Sequence, residues 1–134
     1  MRETITYSDL LLMPQYSTIE SRAEVNLVQN LDKNIVLETP IISSPMDTIT
    51  ETKMAVAMDA AGGVGILHRY KEMMKEVELA FHCHDQGVTN IGAAIGVTGD
   101  YMFRAEALVN IGKANILCLD VAHGHHILME RALK

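Results

Sequence analysis

From residue 40 onward, short runs of apolar residues alternate with longer segments in which apolar residues recur every three or four positions. Short apolar runs bounded by glycine or proline are typical of buried strands, whereas the longer spacing is typical of amphipathic helices. Parallel neighbouring strands need a crossover connection, which is usually a helix. This alternation therefore predicts an α/β fold built from βα units around a parallel sheet.

The pattern predicts four such units. Their strands are expected at residues 40–44, 63–67, 90–96 and 115–120. Each is followed by a segment with one apolar stripe, which we expect to face the sheet. The stripe residues are Met54, Ala57, Met58 and Ala61; Met73, Val77, Ala80, Phe81 and His84; Tyr101, Ala105, Leu108 and Val109; and Ile127, Leu128 and Arg131.

The first predicted helix carries signals at both ends. Thr48 and Glu51 have the spacing of a capping box, which predicts a helix start at this point. Gly62 follows the last apolar position of the stripe, where a glycine commonly ends a helix. The first helix is therefore expected to lie between these two signals.

Residues 1–39 lack the alternation. Residues 4–13 form an apolar stretch closed by Pro14, and residues 24–37 are consistent with a short strand pair around residues 30–33. We expect residues 1–39 to be a lead-in segment that caps the sheet, and residues 40–134 to form the βα units.

Charge and hydropathy exclude several classes of partner. The net charge is −6 and the lysines and arginines are scattered singly, which disfavours a nucleic-acid partner. An apolar run of the length of a membrane span does not occur, and the N-terminal residues do not resemble a secretory leader. A cytoplasmic protein without membrane contact is expected. Cys83 and Cys118 fall within predicted secondary structure, and a disulfide is not predicted.

Polar or functional residues follow the predicted strands at their carboxyl ends, where parallel sheets bind ligands. Side chains alternate along a strand, so Ser44 and Met46 are expected to share the direction of Ile42. By the same parity, His68 follows Val64 and Ile66, and Asp120 follows Ile116 and Cys118. The prediction is that Ser44, Met46, His68 and Asp120 converge on one mouth of the sheet.

Each of these residues also has a structural interpretation. Ser44 lies beside a predicted helix start and could serve only to end the loop, and His68 could be a satisfied, half-buried histidine. Asp120 is harder to explain structurally, because a carboxylate that closes an apolar strand needs an open end and a partner. His123, His125 and His126 lack a standard zinc spacing, and we predict no metal site.

Five motifs in order carry a family resemblance. They are TYSDLLLMP at residues 6–14, TPIISSPMDTITE at 39–51, GGVGILH at 62–68, GAAIGVTGD at 92–100 and LDVAHG at 119–124. Together they resemble inosine-5′-monophosphate (IMP) dehydrogenase and the related guanosine monophosphate (GMP) reductase. The resemblance implies a (β/α)8 TIM barrel, of which this sequence supplies about the first four βα units, a half-barrel.

The resemblance also implies ligands at the carboxyl mouth of the barrel. These are a purine nucleotide, IMP or GMP, and the cofactor NAD, or NADP for the reductase. The implied substrate-binding residues are Ser44, Met46 and His68. The implied cofactor-binding residues are Asp120, Ala122, His123 and Gly124.

Several family features do not occur in these 134 residues. In the family a cysteine thiolate on a Gly-Ser-x-Cys loop attacks C2 of the purine, hydride passes to NAD, and water releases the product. That loop is not in the sequence, nor are the later phosphate-binding glycines, and the family's monovalent cation site is also expected to lie outside it. Cys83 and Cys118 lie in a predicted helix and strand, so no catalytic residue is expected here. Tyr70 runs directly into the second helix, leaving no room for a CBS insertion.

The sequence predicts an IMP dehydrogenase-like oxidoreductase whose N-terminal half, on its own, is inactive. Residues 43–51 and 62–66 are closer to the dehydrogenase, whereas residues 21–27 and 118–122 are closer to GMP reductase, which stays an alternative. Another alternative is a non-catalytic half-barrel. The open edges of a half-barrel predict a homo-oligomer or pairing with a complementary C-terminal half.

Overall fold

The computed structural model describes residues 4–134. Two short 3-10 turns, Tyr7–Asp9 and Arg22–Glu24, lie in the exposed N-terminal segment. The strands are β1 Gln29–Asn30, β2 Val36–Leu37, β3 Ile42–Ser43, β4 Val64–Leu67, β5 Ile91–Ile95 and β6 Ile116–Leu119. The helices are α1 Thr52–Ala60, α2 Met73–Asp85, α3 Tyr101–Asn110 and α4 Ile127–Ala132.

Four strands form one parallel sheet in the order β3-β4-β5-β6. Each strand pairs with the next along the chain, and a helix connects each pair. The predicted α/β fold with a parallel sheet is therefore confirmed. Because all four strands run in the same direction, their carboxyl ends lie along one edge of the sheet.

The N-terminal strands β1 and β2 form an antiparallel hairpin, which confirms the predicted strand pair. The Asp32 carboxylate accepts hydrogen bonds from the amides of Asn34 and Ile35 within the connecting turn. Ile35 and Leu37 are buried against one face of the parallel sheet. The hairpin thus covers part of that face, while residues 4–28 are exposed.

The two faces of the sheet bury different residues. Val64, Ile66 and Ala94 pack with the hairpin and with the half-buried Ile116 and Cys118. The alternate positions on the strands pack against the helices instead, and they are Leu67, Ala93, Ile95 and Leu119. The predicted alternation along β4 and β6 is confirmed.

Gly65 allows α1 to lie directly on β4. A Cβ atom added to Gly65 would be 2.8 Å from the Cα atom of Ala55 and 3.2 Å from Cγ2 of Thr50. A larger residue at position 65 would therefore push the start of α1 away from the sheet.

The start of α1 differs from the prediction and its end agrees with it. The helix begins at Thr52, and the Glu51 carboxylate pairs with Lys71 rather than with a capping threonine, so the predicted capping box at Thr48 is wrong. Gly62 has a φ of +79°, and the Gly62 and Gly63 amides donate to the carbonyl oxygens of Asp59 and Met58, respectively. These two hydrogen bonds form the glycine C-cap that was predicted.

The predicted helix faces are partly wrong. In α1 the fully buried residue is Ala55, whereas Met54, Ala57 and Ala61 are exposed. Small or apolar residues of α1 lie on several sides of the helix, so their spacing fits more than one buried face. In α2, Val77 and Ala80 are buried as predicted, but Phe81 and His84 are exposed. Glu76 and Cys83 are buried in α2 instead. In α3, the predicted stripe residue Val109 is exposed.

Across residues 4–134, no helix is long and apolar enough to cross a membrane.

Candidate functional site

The chain turns sharply where β3 ends. The strand stops at Ser43, and the Met46 amide then donates to the Ser44 carbonyl oxygen at 2.8 Å. The strand thus ends one residue before the predicted Ser44, and Pro45 has no amide hydrogen to donate to a strand ladder; the shared direction of Ile42, Ser44 and Met46 stays a prediction. Ser44 and Met46 are both exposed at the carboxyl edge of the sheet.

Thr50 closes this turn from the inside of the protein. Its amide donates to the Met46 carbonyl oxygen at 3.0 Å, and its hydroxyl donates to the Ser44 carbonyl oxygen at 2.6 Å. The same hydroxyl oxygen lies 2.9 Å from the Ser43 hydroxyl. Thr50 is fully buried, so these bonds form away from water and hold the turn firmly.

His68 follows β4 and lies in a bonded, buried position. Its Nδ1 accepts a hydrogen bond from the Tyr70 amide at 3.2 Å, so its Nε2 carries the proton that faces Glu51 Oε1, also at 3.2 Å. The ring is 1% exposed. This geometry favours the structural interpretation of His68, because the ring is buried and both of its nitrogens already have hydrogen-bond partners.

Glu51, which lies after β3, bonds to two residues that lie after β4, His68 and Lys71. Lys71 Nζ lies 2.9 Å from Glu51 Oε1, the same oxygen that faces His68. The hydrogen bonds from Lys71 and then from His68 hold the pKa of Glu51 below its usual range. Glu51 is thus kept as a carboxylate at the carboxyl edge of the sheet.

Asp120 follows β6 and is joined to Arg69, which follows β4. Arg69 Nε donates to the Asp120 carbonyl oxygen at 3.2 Å and lies 3.4 Å from the Asp120 carboxylate. The Arg69 side chain crosses the end of β5 at Gly96, where an added Cβ atom would contact its guanidinium at 3.6 Å. The Asp120 carboxylate is 28% exposed, which confirms that this strand-end acid has both an open side and a partner.

A small cavity of about 120 Å³ lies beside this ion pair. Its lining residues are Arg69, Gly96, Val97, Thr98, Asp100, Arg104 and Val121. Sequence reasoning missed both arginines. The position of Arg69, directly after the strand-end His68, was the only signal available, and nothing local marks Arg104.

Arg104 is held at the cavity by a buried acid that sequence reasoning also missed. Arg104 Nη1 lies 2.6 Å from Glu76 Oε2, and Nη2 lies 3.2 Å from the Asp100 carboxylate. Glu76 is fully buried on α2, and burial raises its pKa to about 7 despite the favourable charge of Arg104. Within the described residues, its second oxygen, Oε1, has no hydrogen-bond partner.

The loop after Asp120 is open to solvent. Ala122, His123 and Gly124 are exposed, and a Cβ atom added to Gly124 would meet nothing within 4 Å. The His123 ring packs edge-on against His126 at 6.1 Å between centroids. In the part of the chain that the structure describes, no three histidine, cysteine or acidic side chains are grouped to hold a metal ion.

Comparison with protein families matches almost the whole chain to one of them. The family model described as "IMP dehydrogenase / GMP reductase domain" matches residues 4–134. The chain belongs to this family. The match to the IMP dehydrogenase / GMP reductase family includes the whole parallel sheet and the residues that follow its strands.

Individual relatives carry both family names. The chain is 37% identical over 99 residues to an inosine-5′-monophosphate dehydrogenase of Nitrosopumilus maritimus, covering 74% of the chain and 21% of that relative. It is 33% identical over 172 aligned positions to an inosine-5′-monophosphate dehydrogenase of Cryptosporidium parvum, covering 97% of the chain and 42% of that relative. It is also 52% identical over 68 residues to a GMP reductase of Leishmania donovani, covering 51% of the chain and 14% of that relative.

The match to these IMP dehydrogenase / GMP reductase relatives covers the chain far better than it covers the relatives. The shares of 21% and 42% mean that the chain spans less than half the length of either dehydrogenase. The residues described above therefore correspond to one part of a longer relative.

Proposed function

We propose that this chain supplies the nucleotide- and cofactor-facing part of an IMP dehydrogenase-like oxidoreductase. The observation that carries the proposal is that the exposed turn with Ser44 and Met46 lies on the same sheet edge as the half-open carboxylate of Asp120. In α/β sheets, this carboxyl edge is where ligands bind. Within the family, the sheet would be the first half of a (β/α)8 barrel, four of its eight βα units.

Ser44 and Met46 would form the nucleotide side of the site. The Ser44 hydroxyl is exposed and can donate to, or accept from, a polar group of IMP or GMP. The Met46 side chain is 48% exposed and offers an apolar, polarisable surface against a purine ring. We assign His68 a supporting part on this side, because its buried ring orients Glu51.

The residues at the end of β6 fit a dinucleotide cofactor. Asp120 has a partly exposed carboxylate that can accept two hydrogen bonds from a ribose diol, while Arg69 keeps its backbone in place. Ala122 and Gly124 present little or no side chain, and His123 is exposed beside them, so a ligand can approach this loop closely. NAD, when bound there, would accept hydride from the nucleotide; NADPH would donate it in the reductase direction.

The two cysteines of the chain do not fit the part of a nucleophile. Burial raises the pKa of the fully buried Cys83 thiol and of the half-buried Cys118 thiol, and the charge of Asp120 adds to the effect at Cys118. Both are therefore poor thiolates at neutral pH. We propose that covalent chemistry is supplied by barrel residues outside these 134.

The exposed surfaces support a partner that completes the barrel. The edge strands β3 and β6 are open along the sheet, and Ile42 and Leu117 on them are partly exposed. Exposed strand edges with apolar residues normally associate. A complementary C-terminal half or a second copy of the chain would fill this position, and the cytoplasmic location expected from the sequence stays a prediction.

GMP reductase is the second candidate, favoured by the 52% identity over 68 residues to a reductase. The two functions are separated by assaying the protein, as its gene encodes it, for NAD-dependent oxidation of IMP and for NADPH-dependent reduction of GMP. The 134-residue chain is tested alongside for binding of IMP, GMP and NAD by calorimetry. Binding of neither nucleotide by either form would refute the proposed function.

A further inference from the structure

We propose that Thr50 is a positioning residue for nucleotide binding, acting through the turn that carries Ser44 and Met46. The proposal rests on the proposed function, because it assigns to Thr50 the geometry of the nucleotide side. Thr50 itself is fully buried and does not contact a ligand.

The hydroxyl of Thr50 makes the central hydrogen bond of the turn. The Ser44 carbonyl oxygen accepts from the Met46 amide at 2.8 Å and from the Thr50 hydroxyl at 2.6 Å. A carbonyl oxygen can only accept, and the Ser43 hydroxyl oxygen also accepts from Thr50 at 2.9 Å, so the single hydroxyl proton of Thr50 faces both acceptors and lies nearer the Ser44 carbonyl oxygen. One buried oxygen thereby fixes the backbone on both sides of the strand end.

The rest of the turn leaves few alternative constraints on Ser44 and Met46. Both side chains are exposed, and the other bonds that hold the turn come from the Ile49 and Thr50 amides, which both donate to the Met46 carbonyl oxygen at 3.0 Å. Pro45 contributes no backbone donor. Without the Thr50 hydroxyl, the Ser44 carbonyl would keep only the bond from Met46, two residues away.

The hydroxyl and the methyl group of Thr50 have separable surroundings. Its Cγ2 atom lies where a Cβ atom on Gly65 would be only 3.2 Å away, so the methyl packs against β4. The hydroxyl faces Ser43 and Ser44 instead. Valine therefore keeps the methyl packing and removes the hydroxyl, whereas serine keeps the hydroxyl and removes the methyl.

The test compares Thr50→Val with Thr50→Ser in the complete product of the gene rather than in the 134-residue chain alone. Methionine methyl groups are labelled with ¹³C, the Met46 signal is assigned by Met46→Leu, and IMP is titrated while the Met46 methyl is followed. We expect T50V to weaken IMP binding about tenfold, the scale of one lost buried hydrogen bond, and T50S to stay within about threefold of wild type. Affinity for NAD should stay within about twofold of wild type in both variants, because Asp120 is unaffected.

A second readout needs no ligand. Amide hydrogen exchange at Met46 and Thr50 should become about tenfold faster in T50V and change little in T50S, even if T50S melts at a lower temperature. A purely structural role would instead make both affinity and exchange follow melting temperature.

The outcomes separate this proposal from the one on which it rests. If wild type binds IMP and T50V binds it equally well, or if T50S is as weak as T50V, the positioning role is overturned alone. If wild type binds neither IMP nor GMP, the proposed function is overturned, and the positioning role with it. Tenfold weaker binding in T50V, restored in T50S, supports both.

Discussion

Arg69 and Asp120 contact each other although another strand lies between the two strands that they follow: Arg69 Nε lies 3.2 Å from the Asp120 carbonyl oxygen and 3.4 Å from the Asp120 carboxylate. Arg69 follows β4 and Asp120 follows β6, with β5 between them in the sheet. The Arg69 side chain passes Gly96, directly after β5, where an added Cβ atom would lie at an ordinary contact distance of 3.6 Å from the guanidinium. Arg69, which follows β4, therefore holds the backbone of Asp120, the residue proposed to bind the cofactor, from the part of the edge proposed to bind the nucleotide.

Asp120→Ala is expected to weaken NAD binding about ten- to a hundredfold, because a carboxylate bonded to a ribose diol loses a charge-assisted interaction of about 1.5–3 kcal/mol. IMP affinity should stay nearly unchanged. Ser44→Ala should do the opposite and serves as the matched control. Calorimetric titration of both ligands checks the pair, and equal weakening of one ligand by both substitutions would contradict the division of the site.

Arg69→Ala is expected to weaken NAD binding about three- to tenfold, because the Asp120 backbone loses the bond that holds it. Since Arg69 acts through Asp120, the same substitution should have little further effect in an Asp120→Ala background. A double-mutant cycle on NAD affinity measures this coupling, with Arg69→Lys as the variant that keeps the charge. Equal losses in both backgrounds would show that Arg69 acts independently of Asp120.

Glu76 is expected to make stability depend on pH between about 4.5 and 7. Burial raises the pKa of Glu76 to about 7, so the folded chain retains a proton that the unfolded chain releases near its ordinary value of 4.5. The stabilising contribution is full below pH 4.5 and is lost as pH rises through 7, by an amount on the order of 3 kcal/mol. The charges that face Glu76 are Arg104, Arg69 and Asp100.

Glu76→Gln removes this titration and keeps the size of the side chain. Urea unfolding of wild type and variant at pH 5 and pH 8 checks the expectation. The free energy of unfolding should fall more between these values in wild type than in the variant. Parallel pH profiles would show that Glu76 is ionised in both folded and unfolded chains across this range.

The 134-residue chain alone is expected to produce no NADH from IMP, because its two thiols are protonated at neutral pH and covalent catalysis needs a thiolate. Alkylation by iodoacetamide should accordingly be slow at Cys83, which is fully buried, and faster at the half-buried Cys118. NADH absorbance and mass spectrometry provide the two measurements. NADH formation that persists in the Cys83→Ala and Cys118→Ala double variant would point to a contaminating enzyme, whereas NADH lost with these thiols would contradict the prediction.

The sequence determined the features that depend on neighbours along the chain. The alternation of strands and helices, the parity of Val64 and Ile66 within β4, and the glycine stop at Gly62 all follow from spacings of a few residues. The motifs at the strand ends likewise carried the family resemblance, because each is a short contiguous segment.

Only the tertiary structure decided which groups meet. Arg69 contacts Asp120 across 51 positions and Arg104 contacts Glu76 across 28, and both contacts depend on the order of strands and the packing of helices rather than on any local pattern. The same is true of the buried face of α1. Small residues lie on several sides of this helix, and Ala55 is the buried one because α1 approaches β4 closely at Gly65. No local sequence pattern marks Thr50, because its hydrogen bond to the Ser44 carbonyl oxygen depends on the turn after β3. Local propensity sets which elements form, but burial and hydrogen bonding between distant segments set which side chains act together.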